Sequence, residues 1–315
     1  MSDWRFWVAA MAGYGGVSAL LLVRAGQRPR DRMVDAWAEA HGLDLAQPER
    51  DLVAAWLRRS RWWRTVGFVL PFLLIGIGKA YWNSIHSGAF QPLPLRLGWW
   101  LVPVGYLVGV VAAETTWRHP LATPTTPASA APPVAPGLGT PQEQAMRAAA
   151  LIPRDPRDYL PAWLPRATAA VTLAVVLAGV LIALPPAGLA AGWTRSPSAA
   201  VVNAAVAVVV TGAGYLLTRW LVARRQPLTP GYRLELDDAL RATSVHATAA
   251  ACLAFVLLLL SRQLDQLAGV ASVGVGSVFL VANLACIGAA IGCLVDLAQR
   301  HRWTVRRGIQ ARAGA

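Results

Sequence analysis

Seven long apolar runs alternate with polar or proline-rich segments along the chain. They cover residues 6–23, 66–81, 97–113, 167–184, 199–221, 245–260 and 270–297. These lengths are close to the ~20 residues that an α-helix needs to cross a hydrocarbon core about 30 Å thick. Pro71 and Pro103 fall inside two of the runs, where neighbouring helices can satisfy the backbone groups that a proline leaves unpaired. The pattern predicts an all-α fold, a polytopic integral membrane bundle of seven transmembrane helices.

The distribution of arginine predicts the orientation of this bundle. Of the 29 basic residues, 24 fall in residues 24–64, 118–166, 219–241 and 300–312, which a seven-span pattern puts on one side. Segments rich in Arg and Lys beside apolar helices stay in the cytoplasm. Twelve of the 14 tryptophans lie near the ends of the runs, as in the aromatic belts of membrane proteins. We therefore expect the N-terminus outside and the C-terminus in the cytoplasm.

The same pattern divides the chain into four parts. Residues 1–117 form a three-span membrane part that contains a cytosolic helical hairpin, 25–64. Residues 118–166 are rich in Pro, Ala and Thr and are expected to form a disordered cytosolic linker, because they bury too little apolar surface to fold. A four-span part, 167–298, and a basic cytosolic tail, 299–315, complete the chain.

The hairpin is predicted to consist of two short helices, the first ending at Gly42 and the second beginning at Pro48. The second helix carries an apolar stripe formed by Leu52, Val53, Trp56, Leu57 and Trp63. Amphipathic basic helices that bear tryptophan and lead into a span usually lie in the membrane interface. We expect this stripe to contact lipid and to pack there, and docking of a partner protein is the alternative.

Composition agrees with a membrane location and narrows the partners. The chain is 56% hydrophobic and 14% charged, with a net charge of +13. Because the basic residues cluster beside apolar runs, we expect contact with the lipid bilayer, through its anionic headgroups on the cytoplasmic side, and not with nucleic acid. The expected location is a cell membrane, as a multi-pass protein, with the bacterial inner membrane as the first choice.

Two acids stand closest to the membrane interior. Glu114 and Asp296 each end an exiting span and are followed four residues later by Arg118 and Arg300. This spacing puts acid and base on one helix face, which predicts interfacial ion pairs. The alternative is that the two carboxylates face a cytoplasmic vestibule and bind a proton or a cation.

Other polar residues within the spans have structural interpretations. Lys79, near the outer end of the second run, is expected to extend its ammonium group to the headgroups. Asn203 and Asn283 are expected to form hydrogen bonds between helices. The cysteines Cys252, Cys286 and Cys293 lie in apolar runs and lack metal-site spacing, which predicts buried packing.

Two GxxxG patterns suggest close helix contacts. They are Gly105 with Gly109, and Gly288 with Gly292. Small residues at this spacing let two helix backbones approach closely. Packing within the bundle is the expected role of all four glycines, and a homodimer face is the alternative.

No pattern of catalytic or metal-binding residues occurs in the sequence. The five histidines are scattered, and HExxH, GxSxG, P-loop and paired-carboxylate patterns are missing. The sequence therefore predicts no catalytic residue, no metal site and no cofactor. It favours a non-enzymatic accessory or scaffold subunit with a membrane or cytosolic protein partner. A small-molecule transporter or permease is the alternative, and a membrane enzyme acting on lipid is the third hypothesis.

Overall fold

The computed structural model describes residues 4–85, 101–116, 155–184, 197–224, 234–268 and 273–299. These residues form eight α-helices and one short 3-10 helix, Pro156–Asp158, and the described ranges contain no strand. The helices are α1 (Trp4–Gly26), α2 (Asp31–His41), α3 (Gln47–Ile85), α4 (Leu101–Thr115), α5 (Trp163–Ala183), α6 (Pro197–Ala223), α7 (Leu234–Ala268) and α8 (Val273–Gln299). The predicted all-helical class is confirmed. The basic tail and most of the predicted linker lie outside the described residues.

Hydrogen bonds between the helices show that α3 to α8 run in alternating directions. At one end, Arg59 near the middle of α3 donates a hydrogen bond to Thr116, which follows α4. At the opposite end, the Gln263 side chain of α7 donates to the carbonyl of Ala200 in α6. The first end also carries most of the described arginines, and we call it the arginine-rich end.

Helix α7 is the centre of the bundle. The helices pack as three consecutive pairs, α3 with α4, α5 with α6 and α7 with α8, and α7 also packs against α5 and α6. Along α7, Val245, Ala251, Ala254 and Val256 are completely buried. Helix α8 contacts mainly α7 and leaves the rest of its surface open.

The outer surface of the bundle is apolar. Leu177, Val209 and Val281 are each at least 60% exposed. Among the residues that the structure describes, four helices, α5 to α8, are long and apolar enough to cross a membrane. A continuous apolar exterior on helices of this length is typical of proteins that are solvated by lipid. The structure thus supports the predicted membrane protein.

Two helices are longer than the hydropathy pattern predicted. The second helix of the hairpin was expected to be short, but α3 continues without a break through Pro71 to Ile85. At 1.5 Å per residue its 39 residues span about 58 Å. The sixth apolar run, 245–260, is likewise only the middle of α7, whose 35 residues span about 52 Å. Both helices project beyond the apolar layer at the arginine-rich end.

The projecting parts of these helices form a small core outside the apolar layer. We call it the platform, and it consists of α2, residues 42–60, which connect α2 to α3 and form the first turns of α3, and residues 234–244 of α7. Its core residues are Val34, Trp37, Ala38, Leu45, Leu52, Val53, Ala54, Trp56, Leu57, Leu236, Ala239 and Leu240. Of the two contacts expected for the stripe, packing is the one observed, because Leu52, Val53, Trp56 and Leu57 are buried against protein. The sequence could not distinguish contact with lipid from packing against protein, because an apolar stripe has the same spacing whether lipid or another helix covers it.

Helix α2 is joined to α7 by Trp37, whose side chain also contacts His41 one turn further along α2. Gly42 ends the helix in the left-handed conformation with φ 64°, as predicted. The Trp37 indole N–H donates to Thr243 Oγ1 on α7 at 3.0 Å. His41 Nδ1 lies 2.8 Å from the Trp37 carbonyl oxygen, and the two ring centroids are 4.5 Å apart. Burial lowers the pKa of His41 below its usual 6.5, and the hydrogen bond to Trp37 opposes that shift.

We expect the platform to lose stability on mild acidification. Since the pKa of His41 is lower in the folded protein, the unfolded chain binds a proton more readily. Stability is thus fully present above pH 6.5 and is lost as the pH falls from 6.5 through the lower folded pKa. Thermal melts of the detergent-solubilised protein at pH 5 to 8 measure this loss, and His41→Gln should reduce it. An unchanged pH dependence in His41→Gln would show that another group is responsible.

Candidate functional site

Buried ionised side chains meet where α4, α6 and α7 come together at the arginine-rich end. We call this cluster the polar junction, and it consists of Glu114, Arg224, Asp237, Arg241 and Ser244. All are buried except Arg224, whose side chain is 32% exposed. Charges are rarely buried without partners, because removing them from water costs several kcal/mol each. The geometry of the junction shows how its charges are compensated.

Glu114 links three helices through its carboxylate. Ser244 Oγ on α7 donates to Oε1 at 2.5 Å, and an Arg224 guanidinium N–H donates to Oε2 at 3.2 Å. The predicted partner, Arg118, lies outside the described residues. Both oxygens of a buried carboxylate thus have donors from elements more than a hundred residues away in sequence.

Arg241 neutralises Asp237 and also caps α6. Its Nε and Nη2 donate to Asp237 Oδ2 at 3.0 and 2.8 Å, within one turn of α7. Its Nη1 donates to the carbonyls of Val222 and Arg224 at 2.9 and 2.5 Å. The last carbonyls of a helix have no partner within that helix. Arg241 therefore fixes the end of α6 against the first turns of α7.

The end of the predicted linker also docks beside the junction. Asp155 accepts a hydrogen bond from the Arg157 backbone N–H and so caps the short 3-10 helix. Tyr159 follows, is 4% exposed, and donates its hydroxyl proton to Asp238 Oδ1 at 3.2 Å. The expected disordered linker, 118–166, is wrong at its C-terminal end, because residues from Asp155 onward are folded onto α7. A single buried tyrosine in a proline-rich segment gives little periodic signal to predict this contact.

The other predicted polar residues lie apart from the polar junction. Asn283 on α8 accepts a 2.5 Å hydrogen bond from Ser261 on α7, as expected of a contact between helices. Asn203 is half-buried on α6. Lys79 and Asp296 lie on α3 and α8, and their side chains are outside the described part of the structure. The structure therefore does not bring Asp296 and Glu114 into one described site.

The two glycine pairs occupy different environments. A Cβ atom added at Gly105 would meet the Gly67 carbonyl and the Pro71 ring of α3, and one added at Gly109 would meet the Trp63 backbone. At Gly288 and Gly292, no described atom lies within 4 Å of an added Cβ. The first pair thus sits in a close crossing of α3 and α4, and the second lies on the open side of α8.

Gln263 is a buried polar residue that sequence reasoning missed. It is completely buried near the opposite end of the bundle, where its Nε2 donates to the Ala200 carbonyl at 2.9 Å. An amide within an otherwise apolar helix was the available signal. Its contact links α7 to α6 and gives it a packing role.

A groove opens beside the polar junction, between the ends of α5 and α6. Its volume is about 1390 Å³, and α7 forms its floor through Ala249 and Cys252. Glu114, Asp237 and Arg241 do not line it. The three cysteines are free thiols, and no group of three metal-binding side chains occurs within the described ranges.

We expect Glu114→Gln to lower the free energy of unfolding only modestly, by about 1 kcal/mol. The amide preserves the size of the side chain and can still accept from Ser244, although it loses the charge that pairs with the partly exposed Arg224. Glu114→Ala, which leaves both donors without this partner, should cost about 1–3 kcal/mol. Thermal or denaturant unfolding in detergent measures both changes. Equal losses in the two variants would argue against the two-oxygen contact.

Comparison of the chain with protein-family models, with curated proteins and with solved structures finds no match.

Proposed function

We propose that this protein is a non-enzymatic scaffold or accessory subunit of a membrane system. In this proposal seven helices, α1 and α3 to α8, cross a cell membrane with the N-terminus outside. The arginine-rich end, including the platform, then lies in the cytoplasm. The alternating helix directions and the 24 basic residues on alternate connections support this orientation.

The platform is the observation that carries the proposal. Its core joins α2 to the projecting ends of α3 and α7, so that a folded surface outside the bilayer is continuous with two membrane helices. Its outer side carries exposed Asp31, Arg32, Met33 and Glu39 along α2. A folded, charged surface that is continuous with two membrane helices suits the docking of another protein.

The polar junction supports a structural role for the charges below the platform. Glu114 and Asp237 are each bound by an arginine and do not line the groove. Carboxylates that drive ion coupling in transporters face a cavity or a water-filled path. The buried charges of the junction hold α4, α6 and α7 in one arrangement instead.

Crosslinking of the full chain in its native membrane tests the scaffold role. We expect mass spectrometry to identify one reproducible protein partner crosslinked to α2. The double variant Arg32→Glu, Glu39→Arg should lose that partner without a change in melting temperature, because both side chains are exposed. A charge reversal at exposed Asp265, at the other end of α7, is the matched control and should retain the partner. Repeated recovery of the chain without any crosslinked protein would overturn the proposal.

Reporter fusions test the seven-span topology. We expect fusions at Gly88, Gly192 and Asp265 to report the outside, and fusions at Gly42, Pro133, Gln226 and the C-terminus to report the cytoplasm. The reason is that 24 of 29 basic residues lie on the second set of connections. Opposite locations for Gly42 and Pro133 would show that α3 and α4 do not both cross the membrane.

The groove favours a second candidate function, a small-molecule transporter or permease. Its volume of about 1390 Å³ is large enough for a small solute. Proteoliposomes that contain the purified protein should take up a solute above the level of empty vesicles if this candidate is correct. A lipid-directed membrane enzyme remains the third hypothesis, and lipid turnover by the same vesicles would support it.

A further inference from the structure

The groove between α5 and α6 combines an apolar interior with a cationic mouth. Its walls are mostly small or apolar, including Ala169, Gly212 and Tyr215. Two threonines that line it, Thr168 and Thr218, donate their hydroxyl protons to carbonyls of their own helices. Their polar groups are therefore already satisfied, and the groove offers few donors along its length.

Three arginines surround the mouth of the groove at the arginine-rich end. Arg157 comes from the 3-10 helix, Arg166 from the first turn of α5 and Arg219 from the last turns of α6. All three are exposed, and within the described residues none forms an ion pair. Arg224 and Arg241, a short distance along the same end, are bound to carboxylates. Asp155 is the one acid that lines the groove, so the three arginines leave a net positive charge at its mouth.

The apolar part of the groove is close in length to one leaflet of a bilayer. From Thr211 to Arg219 it follows α6 for about 12 Å at 1.5 Å per residue. Half of a typical hydrocarbon core is about 15 Å. Thr172 and Thr211 form a 2.7 Å hydrogen bond that joins α5 to α6 beside the inner end of the groove.

We propose that this groove binds one anionic phospholipid, with an acyl chain along α6 and the phosphate between Arg157, Arg166 and Arg219. Charge complementarity selects an anionic headgroup, and the apolar interior requires an acyl chain in addition to a phosphate. The site is distinct from the platform and does not depend on the scaffold role. Lipid is then a bound component of the protein at a defined position and not only its solvent.

Lipid retention by the full-length protein tests the proposal. The protein is purified in mild detergent and titrated with phosphatidylglycerol or phosphatidylcholine that carry the same acyl chains, and bound lipid is counted by native mass spectrometry. We expect phosphatidylglycerol to be retained preferentially. Each arginine near a membrane surface favours anionic lipid by about fivefold. The triple variant Arg157→Gln, Arg166→Gln, Arg219→Gln should therefore reduce the affinity of the protein for phosphatidylglycerol on the order of 100-fold.

Two further variants separate the site from general electrostatics. A second triple variant removes the same charge from exposed positions outside the groove: Arg28→Gln before α2, Arg32→Gln on α2 and Arg50→Gln on α3. It should retain the lipid. Gly212→Leu should displace both lipids while the protein stays folded, because an added Cβ there meets no described atom within 4 Å. Inorganic phosphate at millimolar concentration should not compete.

Three results would overturn the proposal. They are equal retention of the two lipids by the wild-type protein, equal losses in the two triple variants, and full retention by Gly212→Leu. Competition by inorganic phosphate would show that the arginines bind a phosphate without the acyl chain. Partner crosslinks to α2 are measured separately, so that failure of the lipid site and failure of the scaffold role are distinguishable.

Discussion

Replacement of Arg241 by methionine is expected to lower the free energy of unfolding by about 3–5 kcal/mol, the cost of breaking a buried ion pair from one side. The variant leaves the Asp237 carboxylate without its arginine and the Val222 and Arg224 carbonyls without their shared donor. Methionine fills most of the arginine volume, so that the loss reflects the polar contacts and not a cavity. Denaturant unfolding in detergent, followed by far-UV circular dichroism, measures the change.

Matched variants identify the contacts responsible. Arg241→Lys keeps the charge, but lysine lacks the planar guanidinium that reaches Asp237 and two carbonyls at once. This variant should therefore still lose part of the stability. Arg58→Met, at an exposed position of α3, is the control and should be within about 0.5 kcal/mol of wild type. The double variant Asp237→Leu, Arg241→Met should recover part of the loss, because it removes both charges. A loss below 1 kcal/mol for Arg241→Met would contradict the capping role.

Substitution of Gly105 by leucine is expected to destabilise the protein by about 3 kcal/mol, at the upper end of the cost of overpacking. An added side chain would occupy the space of the Gly67 carbonyl and the Pro71 ring. Pro71 has no N–H, and hence cannot bond the Gly67 carbonyl within α3. The close approach of Gly105 lets its Cα–H group face that carbonyl, a weak contact that partly replaces the missing bond.

Gly288→Leu is the control for this prediction. It makes the same change in another GxxxG pair, at a position where an added Cβ has open space. We expect a change of no more than about 0.5 kcal/mol in the monomer. Equal losses at Gly105 and Gly288 would contradict the packing argument. A change of oligomeric state in Gly288→Leu alone would instead support the homodimer face.

The fold was predictable from sequence where hydropathy acts over a whole helix. The apolar runs became α1 and α3 to α8 in order, and Gly42 ended α2 because only a residue that tolerates positive φ fits there. Hydropathy did not predict the lengths of α3 and α7. The turns of α3 and α7 that project into the platform carry many charged residues, so that their mean hydropathy is that of a surface helix. One face of these turns is nevertheless buried in the platform.

The polar junction was only partly predictable. The spacing of Asp237 and Arg241 on one helix face is a local pattern, and the structure forms that pair. The partners of Glu114 are 110 and 130 residues away. Local spacing indicated only Arg118, because a rule based on one helix cannot detect a contact that depends on how three helices pack.

The position of α7 at the centre of the bundle also sets the order of events on the ribosome. The platform face formed by Leu52, Val53 and Trp56 is complete only when Leu236 and Leu240 arrive, about 180 residues later in the chain. At the usual 5–20 residues per second, synthesis of that interval takes about 10–40 s. During this time Leu52, Val53 and Trp56 lack the α7 side chains that complete their burial in the folded protein.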